Sequence, residues 1–310
     1  MTQNKYRESR RKFLKAAGAA VAGSVMVAAC QSAAPSSSGA ASGPPANEST
    51  FERIKREKVV RVGFTNEAPF AFSESGTGLL TGSSPEILRT VFKKAGVETL
   101  EGVLIEFGAL IPALVAGRID IIGAGMFVRP ARCEQVDFGD PEYQLGEALS
   151  VKAGNPKGLT KLQDFVDKKA IIGLVTGGAE VDYADIAGIP KDQQVLFPDG
   201  PTAMAGLQGG QVDGIMLVTL TVNDLVRKAN DPTLAYQEMS EQPKDKDGNP
   251  AVGWGAMAFR PADDDLRNFY NTELAALKSG NALLPIMAPF GFNQSEMTTK
   301  KATEVCPSIK

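Results

Sequence analysis

Histidine is absent from all 310 residues of this sequence. Its absence removes histidine general bases, Ser-His and Cys-His pairs, and the most common transition-metal ligand, so any chemistry would depend on carboxylates, lysine or tyrosine. Positive charge is not in excess either, because the formal net charge is −3. A nucleic-acid-binding protein needs a basic face to neutralise phosphates, so that class is excluded. We predict no metal, no cofactor and no nucleic-acid partner.

Long apolar runs are scarce, and the most informative one lies near the N-terminus. Arg10-Arg11 and Phe13-Leu14-Lys15 precede an apolar run of small residues at 16–29, which ends at Cys30. A basic segment before an apolar one of this length is typical of an export signal, here a twin-arginine signal. Val27-Ala28-Ala29-Cys30 resembles the lipobox of bacterial lipoproteins, in which the cysteine sulfur is acylated. We expect residues 1–30 to be this signal. We also expect the protein to be lipid-anchored on the extracytoplasmic face of the cell membrane. A short membrane anchor with an incidental cysteine is the alternative.

Residues 31–50 are rich in Ser, Ala, Gly and Pro and contain no strong hydrophobe, so they predict a flexible tether. The fold is expected to start near Phe51. With 43% hydrophobic and 22% charged residues, the chain can form two cores of about 100 to 150 residues. Two cysteines remain, Cys133 and Cys306, in an oxidising compartment where disulfides persist. The sequence leaves open whether they pair.

Strand and helix patterns alternate from residue 58 onward. Residues 58–64 predict a first strand, and Ser84-Pro85-Glu86 predicts the start of a helix with the Ser84 hydroxyl as its N-cap. A strand at 102–105, a helix at 110–116 and a strand at 119–123 follow. This alternation predicts an α/β fold with mainly parallel sheets.

The pattern then recurs, since residues 114–120 align with 207–213 at an offset of 93 residues, and 59–65 align with 170–176. Two similar lobes follow from this repeat, with chance recurrence as the alternative. A strand at 254–259 and a helix at 263–278 come after the second lobe and are expected to complete the first. We therefore predict lobe 1 from 51–150 and 254–310 and lobe 2 from 151–253, joined by a two-crossover hinge. Their cleft should lie at the carboxyl ends of the strands.

Residues 120–132 (Asp-Ile-Ile-Gly-Ala-Gly-Met-Phe-Val-Arg-Pro-Ala-Arg) and 136–143 (Val-Asp-Phe-Gly-Asp-Pro-Glu-Tyr) resemble the signature of family 3 extracytoplasmic solute-binding proteins. These proteins serve ABC importers of amino acids and similar solutes. The similarity extends from about residue 51 to residue 310 and implies a periplasmic-binding-protein-like fold.

In that family, an arginine at the position of Arg132 pairs with the ligand carboxylate. Backbone N–H groups beside Gly125 and Phe127, and from the turn at Thr176-Gly177-Gly178, assist it. A guanidinium binds a carboxylate bidentately, and a helix N-terminus offers free N–H donors. A cation in the first turn of a helix opposes the helix dipole, so we expect an anionic partner for Arg132 rather than a solvated side chain.

One position departs from the amino-acid binders, because Val218 stands where they carry an acid for the α-ammonium. Glu67, Phe70, Phe107 and Phe127 fall in loops predicted at the cleft rim. This arrangement is similar to that of the ectoine- and hydroxyectoine-binding proteins of the family, in which an acid bonds the ring N–H groups and aromatics surround the delocalised cation. Phe107 stands where a tyrosine is often found. Core packing is the alternative role for Phe107 and Phe127.

The resemblance implies a monomeric solute-binding subunit that closes on ectoine or hydroxyectoine and delivers it to permease subunits, without enzymatic activity. A polar or aromatic amino acid held by Glu67 is an alternative ligand. An enzyme similar to cyclohexadienyl dehydratases is disfavoured, because we find no second acid or lysine beside Glu67 and Arg132. A lipid-anchored sensor or adhesion module that binds no solute is the third alternative.

Overall fold

A computed structural model of the chain describes residues 48–248 and 250–306. The predicted export signal, Cys30 and all but the last residues of the predicted tether lie outside the described residues. Within the described ranges, every helix is too short or too polar to cross a bilayer.

Helices and strands alternate along the described chain. The helices are α1 (Thr50–Glu57), α2 (Ser83–Lys93), α3 (Leu110–Val115), α4 (Pro130–Cys133), α5 (Leu162–Asp167), α6 (Ala179–Ile186), α7 (Gly200–Gln208), α8 (Thr219–Ala229), α9 (Asp264–Ser279), α10 (Leu283–Met287) and α11 (Ala302–Val305). The strands are β1 (Val59–Phe64), β2 (Phe72–Ser73), β3 (Leu80–Thr81), β4 (Thr99–Leu104), β5 (Ile121–Ile122), β6 (Asp137–Phe138), β7 (Tyr143–Leu145), β8 (Glu147–Lys152), β9 (Ile172–Val175), β10 (Gln194–Phe197), β11 (Gly214–Val218), β12 (Leu234–Glu238), β13 (Gly253–Gly255) and β14 (Ala258–Phe259). Single 3-10 turns occur at Phe107–Ala109, Lys191–Gln193, Ala288–Phe290 and Gln294–Glu296.

Most strands belong to two five-stranded sheets. Sheet A has the order β4-β1-β5-β14-β6, and sheet B has the order β10-β9-β11-β8-β12. In each sheet four strands run in one direction, and the fourth in the order, β14 or β8, runs against them. We call the elements around sheet A lobe A and those around sheet B lobe B. The α/β class with mainly parallel strands is confirmed, while the antiparallel fourth strand makes both sheets mixed.

The predicted repeat corresponds to equivalent aspartates in the two sheets. The Asp120 carboxylate accepts a hydrogen bond from the Arg61 N–H at 2.9 Å, and the Asp213 carboxylate accepts one from the Ile171 N–H at 2.8 Å. Asp120 immediately precedes β5, the central strand of sheet A, and Asp213 immediately precedes β11, the central strand of sheet B. Arg61 is therefore equivalent to Ile171, so the alignment of 59–65 with 170–176 is wrong by one residue. A continuous β-branched run is apolar in either register, which is why sequence alone misplaces it.

The start of α2 also differs from the prediction. The N-cap is Gly82, with no capping side chain, and not Ser84. The N–H groups of Ser83 and Ser84 donate instead to the carbonyls of Pro69 and Phe70, each at 3.0 Å. These loop carbonyls satisfy the free donors that a hydroxyl would otherwise cap, and they fix the loop that carries Phe70.

Two connections link the sheets, and they pair with each other. Strand β7 leads from sheet A towards sheet B, β13 leads back, and the two are antiparallel with Gly255 opposite Tyr143. A Cβ at Gly255 would overlap the Tyr143 ring, so only glycine fits there. Strand β8 of sheet B starts at Glu147, ahead of the predicted lobe boundary at residue 151. The boundaries of the lobes stay a prediction.

A disulfide closes the end of lobe A. Cys133 of α4 and Cys306, which follows α11, are bonded, with their Cα atoms 5.8 Å apart. Asp140 holds the same C-terminal segment, because its carboxylate accepts from the Ala302 N–H at 3.0 Å and from the Lys301 ammonium at 2.8 Å. The C-terminal segment is therefore fixed against α4, the helix that carries Arg132.

Candidate functional site

A pocket lies where the carboxyl ends of β1 and β5 face those of β9 and β11, the position at which open α/β sheets bind ligands. We call its two walls the A-side wall and the B-side wall. The A-side wall consists of Glu67, Phe70, Phe107, Gly125, Phe127 and Arg132. The B-side wall consists of Val175, Gly178, Ala179, Glu180, Leu217 and Val218. The free space between them is about 30 Å³, enough for only about two or three water molecules. The walls are therefore closed on each other.

Most residues predicted to bind a ligand line this pocket together. The whole A-side wall was predicted from the sequence, as was Gly178 of the B-side wall. Thr176 and Gly177 precede Gly178 in the same turn but do not line the pocket. Val218, recognised as the place of a missing acid, does line it. The pocket brings these residues within reach of one solute, and their roles towards it stay a prediction.

Arg132 provides the cation of the A-side wall. Its guanidinium donates to the Phe127 carbonyl at 2.8 Å and to the Gly177 carbonyl of lobe B at 3.0 Å, and it lies 5.2 Å from the centre of the Phe107 ring. Burial, helped by the neighbouring Arg129 guanidinium, lowers the pKa of Arg132 to about 10. Because α4 is a single turn of four residues with little dipole, the helix dipole gives weak support for an anionic partner of Arg132, which stays a prediction. Arg132 nevertheless stays charged at neutral pH and is held by neutral carbonyls.

Glu67 is the acid of the A-side wall. Its carboxylate accepts a hydrogen bond from the Thr221 hydroxyl of α8 at 2.7 Å, which links lobe A to lobe B. Burial raises the pKa of Glu67 to about 7, although the Thr221 bond opposes this rise. A cation beside Glu67 would favour its ionised form.

Glu180 is a second acid of the pocket, and it corrects the expectation that none accompanies Glu67 and Arg132. It is buried in the first turn of α6, and burial raises its pKa above the ordinary value while Arg132 and Arg129 oppose the rise. Sequence reasoning missed it because acids are common in first turns, where they face the helix dipole. Its position two residues after the turn at 176–178 was the available signal.

The phenylalanines of the A-side wall are held in place by lobe A. The Phe70 ring is 1% exposed and stacks on Tyr143, with ring centres 5.5 Å apart. Gly125 has φ +68°, and a Cβ there would lie 2.6 Å from Phe70 Cγ, so only glycine lets this loop approach the ring. Phe127 is buried against Gly253, whereas Phe107 is half-buried. Phe70 and Phe127 thus serve the core as well as the pocket, and Phe107 is the most accessible ring.

The turn at 176–178 already uses two of its three N–H groups. The Thr176 N–H donates to the Phe197 carbonyl at 2.9 Å, and the Gly178 N–H donates to the Val175 carbonyl at 3.0 Å. Gly177, with φ +78°, lies against Gly108 of lobe A, and a Cβ on Gly177 would be 2.7 Å from the Gly108 Cα. The turn is therefore a point where the backbones of the two lobes meet.

Arg129 adds a further contact between the lobes. Its guanidinium donates to the Ala179 carbonyl at 2.8 Å and forms an ion pair with Asp182 at 2.9 Å, both in α6. It also lies 4.9 Å from the centre of the Tyr183 ring. Sequence reasoning assigned no role to Arg129 or Thr221, because only the folded chain shows which residues they contact.

Known proteins resemble this chain over most of its length. Residues 60–291 match the family of bacterial extracellular solute-binding proteins, family 3. A probable amino-acid ABC transporter periplasmic-binding protein of Sinorhizobium fredii is 27% identical over 262 residues, which cover 83% of this chain and 86% of that protein. The L-arginine-binding protein of Pseudomonas aeruginosa is 27% identical over 225 residues, which cover 72% of this chain and 84% of that protein.

Among solved structures, EhuB in complex with hydroxyectoine is 35% identical, with a TM-score of 0.76, and the match covers 83% of this chain and 97% of that one. These similarities confirm the periplasmic-binding-protein fold. With both the family match and this structural match, the chain belongs to family 3 of the bacterial extracellular solute-binding proteins.

Proposed function

We propose that this chain is the solute-binding subunit of an ABC importer and that its ligands are ectoine and hydroxyectoine. The observation that carries the proposal is one pocket that combines the Arg132 cation, the two acids Glu67 and Glu180, and three phenylalanines. A compact zwitterion with a carboxylate and a delocalised cation complements this combination. The similarity to EhuB, solved with hydroxyectoine, supports the same ligand class.

The carboxylate end of the ligand is assigned to Arg132. In the closed pocket its guanidinium donates to the neutral carbonyl of Gly177. A ligand carboxylate would accept charge-assisted hydrogen bonds from the same donors, worth about 1.5 to 3 kcal/mol each. The N-terminus of α6, which begins beside Gly178, adds attraction for an anion.

The cationic end is assigned to Glu67 and Glu180, with the phenylalanines around it. Each desolvated aromatic face contributes about 0.5 to 2 kcal/mol to binding a cation. The Thr221 hydroxyl orients the Glu67 carboxylate and connects it to lobe B. Closure of the lobes would then bury the ligand between two acids and the aromatic rings.

An amino-acid ligand is the second candidate within the same class. The relatives in Sinorhizobium fredii and Pseudomonas aeruginosa are named for amino acids, and Glu67 or Glu180 could hold an α-ammonium. The chain is a binding protein and not an enzyme, because its family and named relatives are solute-binding proteins. Glu180 supplies a second acid, but this does not outweigh the family.

The cellular setting forms part of the proposal. We propose export by a twin-arginine signal, lipid attachment at Cys30, action as a monomer, and delivery of the solute to permease subunits. The Cys30→Ser variant should move the protein from the membrane fraction to the soluble fraction. A Cys30→Ser protein that stays with the membrane would exclude the lipid anchor.

Isothermal titration calorimetry of the mature protein tests the ligand. Ectoine and hydroxyectoine should bind with micromolar or tighter affinity, and arginine, histidine, glutamine and proline at least about 100-fold more weakly. The Arg132→Ala variant, titrated in parallel, should give no heat. Heat from an amino acid but none from ectoine would replace the proposed ligand by an amino acid.

A further inference from the structure

Strand pairing places an acid opposite Val218. In the antiparallel pair of β11 and β8, Val218 is directly opposite Glu147. Residues directly opposite each other in such a pair have side chains on the same face of the sheet, about 5 Å apart at Cβ. Val218 lines the pocket at the carboxyl end of β11, so Glu147, its partner at the start of β8, lies at the same end of sheet B as the pocket.

The Glu147 carboxyl is buried without full hydrogen bonding. The residue is 2% exposed, and its Oε2 atom has no hydrogen-bond partner among the described residues. Its backbone is fixed by Gln242, which accepts from the Glu147 N–H at 2.7 Å and donates to the Glu147 carbonyl at 3.0 Å. An unpartnered buried polar atom costs about 1 to 3 kcal/mol, so its presence requires an explanation.

Charged groups around Glu147 come from both walls of the pocket. The acids that act on it are Glu180 of α6 and Glu67 of lobe A, and Arg129 opposes them. Tyr183 of α6 is a further titratable neighbour, since Glu147 raises its pKa. Burial first, and then these acids, raise the pKa of Glu147 well above its ordinary value. The two acids of the pocket walls, Glu67 and Glu180, thus act on Glu147, whose buried Oε2 has no hydrogen-bond partner among the described residues.

We propose that Glu147 is a specificity-determining residue, which supplies from β8 the negative charge that Val218 does not supply from β11. The inference rests on the proposed binding function and extends it to the charge of the solute. Glu147 acts from behind Val218 and Glu180, and it selects solutes that carry a positive group. When such a solute binds, the carboxyl O–H bond breaks, the carboxylate stays beside the cation, and the proton passes to the buffer.

Calorimetry at pH 7 in phosphate and in Tris measures both affinity and proton release, because the two buffers differ in ionisation enthalpy. The probe is ectoine or, if ectoine gives no heat, the amino acid that binds the wild type most tightly. The Glu147→Gln variant should weaken this probe about three- to tenfold and reduce the protons released. The affinity for pyroglutamate, a cyclic carboxylate without a cation and measured by competition, should not fall. Asp263→Asn, which alters an acid that is 5% exposed and outside the pocket, should change neither quantity.

Exchange of the two opposite residues provides the sharper test. The double variant Glu147→Val with Val218→Glu returns an acid to the same face of sheet B and should recover most of the lost affinity. The inference is overturned if Glu147→Gln retains wild-type affinity and proton release, or if it weakens pyroglutamate as much as the zwitterion. A wild type that binds an amino acid and not ectoine would refute the proposed ligand while leaving this test intact.

Discussion

The two walls of the pocket contribute different chemistry although the two lobes share one fold. The A-side wall carries a guanidinium, a carboxylate and three aromatic rings. The B-side wall is mainly aliphatic, and Glu180 is its charged member among the residues that line the pocket. Equivalent sheets have therefore diverged at their carboxyl ends. We therefore expect recognition to be concentrated in lobe A, with a solute binding there first and lobe B closing over it.

The contacts inside lobe A differ from the contacts that join the two lobes. Lobe A contains the disulfide between Cys133 and Cys306 and the stacked rings of Phe70 and Tyr143. Lobe B meets it through single contacts, such as the Thr221 bond to Glu67 and the Arg132 bond to Gly177. We expect lobe A to keep its conformation while these contacts to lobe B form and break, as opening and closing require.

Removal of the A-side cation should have the largest effect on binding. We expect Arg132→Ala to weaken ectoine about 1,000-fold, because truncation of one partner of a buried charged pair costs about 2 to 5 kcal/mol. Calorimetry measures the change. Arg89→Ala is the matched control, since this half-buried arginine pairs with Glu86 outside the pocket. Equal ectoine affinity of Arg132→Ala and the wild type would contradict the assignment of the ligand carboxylate to Arg132.

Loss of the disulfide should lower the stability of lobe A. The double variant Cys133→Ser with Cys306→Ser opens a loop with a sequence separation of 173 residues, and we expect a loss of about 2 to 5 kcal/mol in the free energy of unfolding. Urea denaturation measures the loss, and hydrogen exchange should locate it in lobe A. A reductant should destabilise the wild type but not the double variant. Equal stability of wild type and variant would contradict this account of lobe A.

Removal of the A-side acid should weaken the cationic end of the ligand. We expect Glu67→Gln to lower ectoine affinity about tenfold, measured by calorimetry. Thr221→Val, which removes the hydroxyl but keeps the carboxyl, should have a smaller effect. If Thr221→Val is the more damaging variant, the interlobe bond matters more than the acid.

Glu67 should also make the stability of the protein depend on pH. Burial raises the pKa of Glu67 from 4.5 to about 7, so between these values the folded protein holds a proton that the unfolded chain releases. The stability contributed by this proton is present below pH 4.5 and is lost as pH rises towards 7. The difference in melting temperature between wild type and Glu67→Gln should therefore change across this window. A constant difference would contradict a protonated Glu67.

A change at the backbone contact between the two lobes should have the smallest effect. Gly177 and Gly188 both have φ +78°, but a Cβ would meet Gly108 at the first position and nothing within 4 Å at the second. Both alanine variants should lose about 1 kcal/mol of stability through backbone strain. Gly177→Ala alone should also lower the affinity for ectoine several-fold, because the added Cβ would meet Gly108 and hold the two lobes apart. The same affinity in both variants would mean that closure does not need this contact.

Sequence reasoning found the A-side wall more readily than the B-side wall, and the reason is physical. The residues from Gly125 to Arg132 lie in one continuous motif, so local order along the chain preserves their proximity. Glu180 resembles any first-turn acid, and Glu147 becomes relevant only through the register of β8 against β11. The repeat predicted two equivalent sheets, but their antiparallel fourth strands depend on pairing across long sequence separations.

A crystal structure with hydroxyectoine would show directly which residues of each wall contact each end of the ligand. We predict that the ligand carboxylate lies on the Arg132 guanidinium, in place of the Gly177 carbonyl, and that the ring cation faces Glu67 and Glu180. A ligand bound outside this pocket, or an Arg132 still bonded to Gly177, would contradict it.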